Sequence, residues 1–393
     1  MNADGANAPG TIPPQLPIAA RPATSNMGVE RATLVAKSEG VNYFSLNNFD
    51  LIRLIAASQV MLVHAITWLD VTELSGLKSV LIFFPGVPAF FFVSGFLISA
   101  AWERNPDPKV FYLNRAYRVF PALWLGVIGS LIAVLFYLGF EGTLSNSGVL
   151  AIWVLAQGSF FQAWNPEMLR EYGVGVANGV LWTIHIELSF YVLIPIFYWL
   201  IRSIRLDILL LIVIVVSFAV NYSVLEWDPS NTQAQFLKKA FLATLVPWIG
   251  MFGLGILAQA HKERLYRYLA GRFLSVLTVF LAVALLTHYF PTFPVLSTGN
   301  TPGVLNYLTI VALVFSAGYS GRSLSDRILS RNDISYGIYI FHMPIVNVLI
   351  QHDMTGLKGF LTLLPTVILI SAGSWFLLEK RVLARRRRTL YSR

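Results

Sequence analysis

What most limits the fold of this chain is the recurrence of apolar blocks, each about as long as a bilayer is thick. Ten such blocks are expected at roughly 49–69, 79–101, 119–140, 177–201, 206–224, 239–260, 273–291, 301–320, 334–351 and 358–379. A helix needs ~20 apolar residues to cross a membrane, so each block is long enough to span. The blocks are continuous rather than alternating, which excludes a transmembrane β-barrel. Composition agrees: 56% of the 393 residues are hydrophobic and only 12% are charged, half the roughly one quarter usual in soluble domains. The expectation is an all-α polytopic membrane protein of about ten transmembrane helices. The stretch from Val149 to Trp164 is apolar but shorter, and reads as a re-entrant or interfacial helix.

Orientation follows from the basic residues. With the N-terminus in the cytoplasm, the inner loops and C-terminal tail collect 20 Lys and Arg against 5 in the outer loops (Lys78, Arg170, Lys238, Lys239 and Lys358). An odd number of spans would spoil this asymmetry, so both termini are expected to be cytoplasmic. The same charges account for most of the +9 net charge, and no nucleic-acid partner is needed. Residues 1–45, rich in Ala, Pro and Asn, read as a flexible cytoplasmic tail without a cleaved signal peptide. Residues 46–382 read as one membrane domain and 383–393 as a basic cytoplasmic tail whose Arg385–Arg388 cluster anchors to anionic lipid. No soluble module is expected after the last span. The absence of cysteine removes disulfides, thiolate metal sites and a cysteine acyl-enzyme; no metal site is expected.

Ionisable side chains inside a bilayer are costly, which makes each one a functional candidate. Arg53 and His64 in the first span are eleven residues apart and share a helical face, ~16 Å apart along the axis. Arg53 can pair with Asp50 at the inner interface or serve a site, and His64 can be structural or catalytic. In the fourth span, Glu187 lies near mid-membrane and His185 on roughly the opposite face, so Glu187 is preferred. In the second span, Pro88 is expected to break the helix, and Ser94-Gly95 serves either close packing or a site. In the ninth span, Tyr336, Tyr339 and His342 are spaced three apart and share a face. An interfacial salt bridge to Lys380 or Arg381 is the cheaper reading of Glu379.

Several islands then fall in a familiar order. Phe49-Asp50-Leu51-Ile52-Arg53 runs through to His64; Gly86-Val87 is followed by Phe90-Phe91-Phe92-Val93-Ser94-Gly95-Phe96-Leu97-Ile98. Phe111-Tyr112-Leu113 leads to Arg115, Arg118 and Pro121, and Leu181-Trp182-Thr183 leads to Glu187 and Phe190-Tyr191. Ser335-Tyr336, Tyr339, His342 and Pro344 precede a closing Leu378-Glu379-Lys380. Together they resemble the acyltransferase-3 family, integral membrane O-acyltransferases of bacterial surface and exported polysaccharides, over about residues 45–382. The chain departs from the family pattern at Pro88, where an acid usually follows Gly-Val, and at Leu188-Ser189, where a second acid and Gln often stand.

The resemblance implies transfer of an acyl group, usually acetyl, from acyl-CoA to a glycan hydroxyl or a lipid-linked oligosaccharide, in the bacterial inner membrane. Acyl-CoA is then a co-substrate and no cofactor is permanently bound. That reaction needs a base for the attacking alcohol; His64 is assigned the role, with Glu187 as base or orienting group in its place. Arg53 is assigned a phosphate of the donor or developing negative charge, and Arg115 and Arg118, in an inner loop, the phosphates of the arriving CoA. Ser94, Trp182, Tyr336 and His342 are expected to form the site. The rival reading is a secondary transporter or flippase of a glycan or lipid-linked substrate, which also has buried charges and broken helices. No inverted repeat supports that reading.

Overall fold

The computed structural model describes residue 43 and residues 47–200, 205–227, 231–290, 303–321 and 324–391. The remaining residues, among them 1–42, 44–46, Arg202, Arg322, Arg393 and the 291–302 junction between the seventh and eighth predicted spans, lie outside the described set. Every regular element among the described residues is helical. In chain order they are α1 (Phe49–Trp68), α2 (Ser75–Ile82), α3 (Gly86–Arg104), α4 (Pro108–Ser145), α5 (Ser147–Gln157), α6 (Trp182–Leu200), α7 (Leu206–Glu226) and α8 (Thr232–Leu242). Then come α9 (Ile249–Ala260), α10 (Lys262–Leu269), α11 (Phe273–Tyr289), α12 (Val304–Tyr319), α13 (Leu324–Leu329), α14 (Ser335–Gln351) and α15 (Gly356–Ser374). A π-helical turn (Trp375–Glu379) runs into α16 (Lys380–Tyr391). Among the described residues, six helical stretches are long and apolar enough to cross a membrane, or seven if the 90° bent pair of α10 and α11 is one span. The chain is a multi-pass membrane protein.

Several predicted boundaries are corrected. The second span is broken at Phe83–Pro85, ahead of Pro88, because Pro88 sits in the first turn of α3, where a missing N–H costs nothing. Gln59 of α1 repairs that break: its Nε2 donates to Leu81 O and its Oε1 accepts from Gly86 N, both at 2.9 Å. The third span belongs to a helix that begins at Pro108, so Arg115 and Arg118 lie on helix and not in a loop. Gly139, with φ of 67°, kinks that helix. The fourth helix starts at Trp182 rather than at 177, and the sixth span is interrupted between α8 and α9. The basic tail continues as helix to Tyr391.

The core is a bundle centred on α3. Gly95 of α3 lies against the Phe252 carbonyl of α9, and Gly255 of α9 against the Phe92 carbonyl of α3, so a Cβ on either glycine would meet backbone. This is close helix packing through small residues. Phe190 of α6 stacks on Phe252, with centroids 4.1 Å apart and an interplanar angle of 14°. At one end, buried Asn48 ties α1 to α12 and α13. Its Nδ2 donates to Ala317 O (3.2 Å) and Ser320 O (2.6 Å), and its Oδ1 accepts from Ser325 N (3.0 Å). α14 packs against α1, α4 and α15 and carries the last part of the site.

Candidate active site

Five helices project side chains into one cavity: Arg53 from α1, Ser94 from α3, Arg115 and Arg118 from α4, Glu187 from α6 and Tyr336 from α14. Adjacent positions on α3 divide the work, since Gly95 makes the helix contact and Ser94 faces the cavity. Ser94 Oγ donates to Glu187 Oε1 at 3.4 Å, and the Tyr191 hydroxyl, one helical turn on from Glu187, donates to the same oxygen. Thus Glu187 is a hydrogen-bonded wall of the cavity. The Tyr336 hydroxyl is buried and has no hydrogen-bond partner among the described residues.

The arginines are not equivalent. Asp333, just before α14, accepts from Arg53 Nη1 at 2.9 Å and from Arg118 Nη2. It also accepts from the backbone N–H of Ser335 (3.0 Å) and from the Ser335 hydroxyl. Burial alone would raise the Asp333 carboxyl, but the two guanidiniums and the Ser335 donors outweigh it and hold the group below the usual carboxylate range. The expected Asp50–Arg53 pair is present but longer, at 3.7 Å. Arg115 makes none of the described ion pairs. Its guanidinium lies over the rings of Phe111 and Tyr191, 5.8 and 6.0 Å from their centroids, and its Nε has no hydrogen-bond partner among the described residues.

A second cavity is lined by Gln59, Val63, His64, Val87, Trp182 and Tyr339. Val87 and Tyr339 also line the first, so the two cavities are neighbours across this pair. His64 Nδ1 lies 3.0 Å from His342 Nε2, and His342 Nδ1 lies 3.0 Å from Ile338 O. Tyr339 is held by its hydroxyl, 2.9 Å from Thr183 Oγ1. The Trp182 ring rests on Trp248, with centroids 5.0 Å apart.

The segment between α5 and α6 folds back over α14. Asn347 accepts from Val174 N (3.0 Å) and donates to Val176 O (2.8 Å) and Ala177 O (2.9 Å). Asn178 Nδ2 donates to Ile340 O at 3.0 Å. That carbonyl is the one Pro344 leaves without a helical donor, four residues on.

Arg53, Ser94, Arg115, Arg118, Glu187 and Tyr336 are thus gathered in one cavity, and His64 and Trp182 in its neighbour, where His342 backs His64. His185 is directed elsewhere and meets the Phe160 carbonyl. Glu379 departs from the expected interfacial salt bridge: it is 3% exposed, accepts from Ser374 Oγ at 2.8 Å, and makes no ion pair among the described residues. The π turn carries it inward, away from the Lys380 and Arg381 heads. Sequence reasoning missed Asp333 and Gln59, and it quoted Tyr191 within a motif without giving it a role. The signal for Asp333 was an acid directly ahead of an apolar block, a position that helix capping already explains. No cluster of His, Asp and Glu suited to a metal occurs among the described residues.

Residues 46–379 match the family described as Acyltransferase domain. Nodulation protein 10 of Rhizobium leguminosarum bv. viciae is 29% identical over 349 residues, covering 85% of this chain and 92% of that protein. An O-acetyl transferase of Shigella phage Sf6 is 28% identical over 356 residues, 86% of this chain and 96% of the relative. Peptidoglycan O-acetyltransferase OatA of Listeria monocytogenes is 25% identical over 285 residues, 67% of this chain and 45% of its own length. No solved structure matches. A match over residues 46–379, most of the chain, settles the family: the chain is a membrane acyltransferase and belongs to the acyltransferase-3 family.

Proposed function

We propose that the protein transfers an acetyl group from acetyl-CoA to a hydroxyl of a surface or exported glycan, in a bacterial inner membrane, with His64 as general base. The observation that carries this reading is the juxtaposition of an arginine-bearing cavity and a histidine-bearing one, neighbours across Val87 and Tyr339. Arg115, which makes no described ion pair, suits a phosphate of CoA, because guanidinium forks match phosphate oxygens. Arg53 and Arg118 stand beside it with their charge shared by Asp333.

The proposed reaction is direct transfer. The acceptor hydroxyl loses its proton to His64 while its oxygen bonds the thioester carbonyl carbon. The C–S bond then breaks, and the CoA thiolate leaves with the proton that His64 returns. Glu187, which accepts from Ser94 and Tyr191, orients the donor side. With both termini in the cytoplasm, as the distribution of basic residues favours, the arginine end faces inside, where CoA is found, and the His64 end faces the exported glycan. The relatives named as O-acetyltransferases support acetyl as the group and oxygen as the acceptor.

The test uses membranes with radiolabelled acetyl-CoA and compares wild type with His64→Ala at matched expression. Label entering glycan with wild type and lost in the variant is the expected result. Label persisting in His64→Ala would discard the base. Gradient-driven glycan flux in the same membranes, without label transfer, would favour a transporter.

A further inference from the structure

We propose that His342 is a positioning residue that fixes the tautomer of His64, so that His64 presents a bare Nε2 to the acceptor. The inference rests on the reading of His64 as base and adds what makes it one.

The argument is one of donors and acceptors. A carbonyl only accepts, so the contact of His342 Nδ1 with Ile338 O puts a proton on that nitrogen. A neutral imidazole carries one N–H, so His342 Nε2 is an acceptor. Its hydrogen-bond partner among the described residues is His64 Nδ1, 3.0 Å away, which must then donate. The His64 proton is thereby confined to Nδ1, and its Nε2 lone pair is left for the cavity that the ring lines. In the opposite arrangement a cationic His342 would donate to His64 Nδ1 and leave an N–H at Nε2, which is useless as a base. That cation would need a counter-charge, and among the described residues no carboxylate pairs with either ring.

The fold has reason to hold His342 still. The ring is 0% exposed on α14, next to a helix deficit at Pro344 that Asn178 fills from the segment leading into Trp182. When His64 takes the hydroxyl proton at Nε2, its Nδ1–H already has an acceptor, so the imidazolium forms without rearrangement.

Two measurements test the proposal. In purified protein labelled with 15N-histidine, both rings should show a protonated Nδ1 and an unprotonated Nε2, the resonances being assigned by their loss in His64→Ala and His342→Gln. A protonated Nε2 on His64 would overturn the proposal, whatever the variants do. In the transfer assay, His342→Phe should lower kcat about 100-fold with KM for acetyl-CoA unchanged, on the scale of general-base catalysis. His342→Gln, whose Oε1 can accept from Nδ1–H, should recover at least about tenfold of that loss. Equal losses in the two variants, or an effect on KM alone, would reduce His342 to packing. Full activity in His64→Ala would instead remove the base reading, a result distinct from the failure of the pair alone.

Discussion

Arg53 and Arg118, on different helices and 65 positions apart in sequence, share one carboxylate, that of Asp333. The arrangement fastens the start of α14 to α1 and α4 at the arginine end of the cavity. It also decides which cations are neutralised before any substrate arrives, since Arg115 on the next turn of α4 is not part of it.

Removing that carboxylate should therefore cost stability before it costs chemistry. Asp333→Asn leaves two half-buried guanidiniums facing a neutral amide, and breaking a buried pair typically costs about 3–5 kcal/mol. Thermal unfolding in detergent should show a marked loss for Asp333→Asn and a smaller one for Asp50→Asn, whose contact with Arg53 is 3.7 Å. The pH dependence has a definite sign. The folded carboxyl is held below its unfolded value of about 3.9, so its contribution is fully present above that value and is lost as pH falls through the folded one. The wild-type advantage over Asp333→Asn should be constant from pH 7 to about 5 and shrink only in stronger acid. An advantage that decays between pH 7 and 6 would mean that another group carries it.

Arg115 should be the arginine whose loss is felt most in donor binding and least in stability. Arg115→Lys keeps the charge but loses the planar fork and its stacking over Phe111 and Tyr191. We expect KM for acetyl-CoA to rise about tenfold, one lost charge-assisted contact, with the unfolding midpoint little changed. A fall in kcat at unchanged KM would place Arg115 at the reacting atoms instead.

The α3–α9 crossing predicts a purely mechanical defect. A side chain at Gly95 meets the Phe252 carbonyl, and backbone cannot move aside as a flexible side chain can. Gly95→Val should separate the helices and cost about 1–3 kcal/mol, the range for overpacking. Ser94→Ala, one position away and facing the cavity, should leave stability unchanged, which unfolding of the two variants side by side would check. Equal destabilisation would contradict the division of labour between these neighbours.

Much of this architecture is legible in the sequence because the bilayer enforces it. Arg53, His64 and Glu187 stand out where charge is expensive, and the apolar blocks mark most of the long helices, although the helix of the third block begins at Pro108 rather than 119 and the second and sixth blocks are each divided between two helices. What stays hidden is relational. Asp333 looks like a helix cap until the fold brings Arg53 and Arg118 to it, and Glu379 looks interfacial because its neighbours Lys380 and Arg381 are charged, while the π turn that buries it leaves no mark in a periodicity. Pro88 looks like a breaker although Pro85 ends the gap and Gln59 bridges it, since proline is harmless in a first turn. Arg53 and His64 share a face of one helix by arithmetic alone; that His64 meets His342 depends on α14 packing against α1.

The repair of α14 at Pro344 can be tested as a cycle. Proline at 344 supplies no N–H to Ile340 O, and Asn178 Nδ2 fills the vacancy at 3.0 Å from a residue 2% exposed. Asn178→Leu should strand a buried carbonyl and cost about 1–3 kcal/mol. Pro344→Ala restores the helical donor, so Asn178→Leu in that background should cost much less, because the carbonyl is satisfied from its own helix. Unfolding of the four proteins in one detergent gives the coupling directly. Additive losses would mean that Asn178 holds its segment through contacts other than this carbonyl. A strong positive coupling would show that the segment leading into Trp182 is fastened to α14 by the very hydrogen bond that proline removed from the helix.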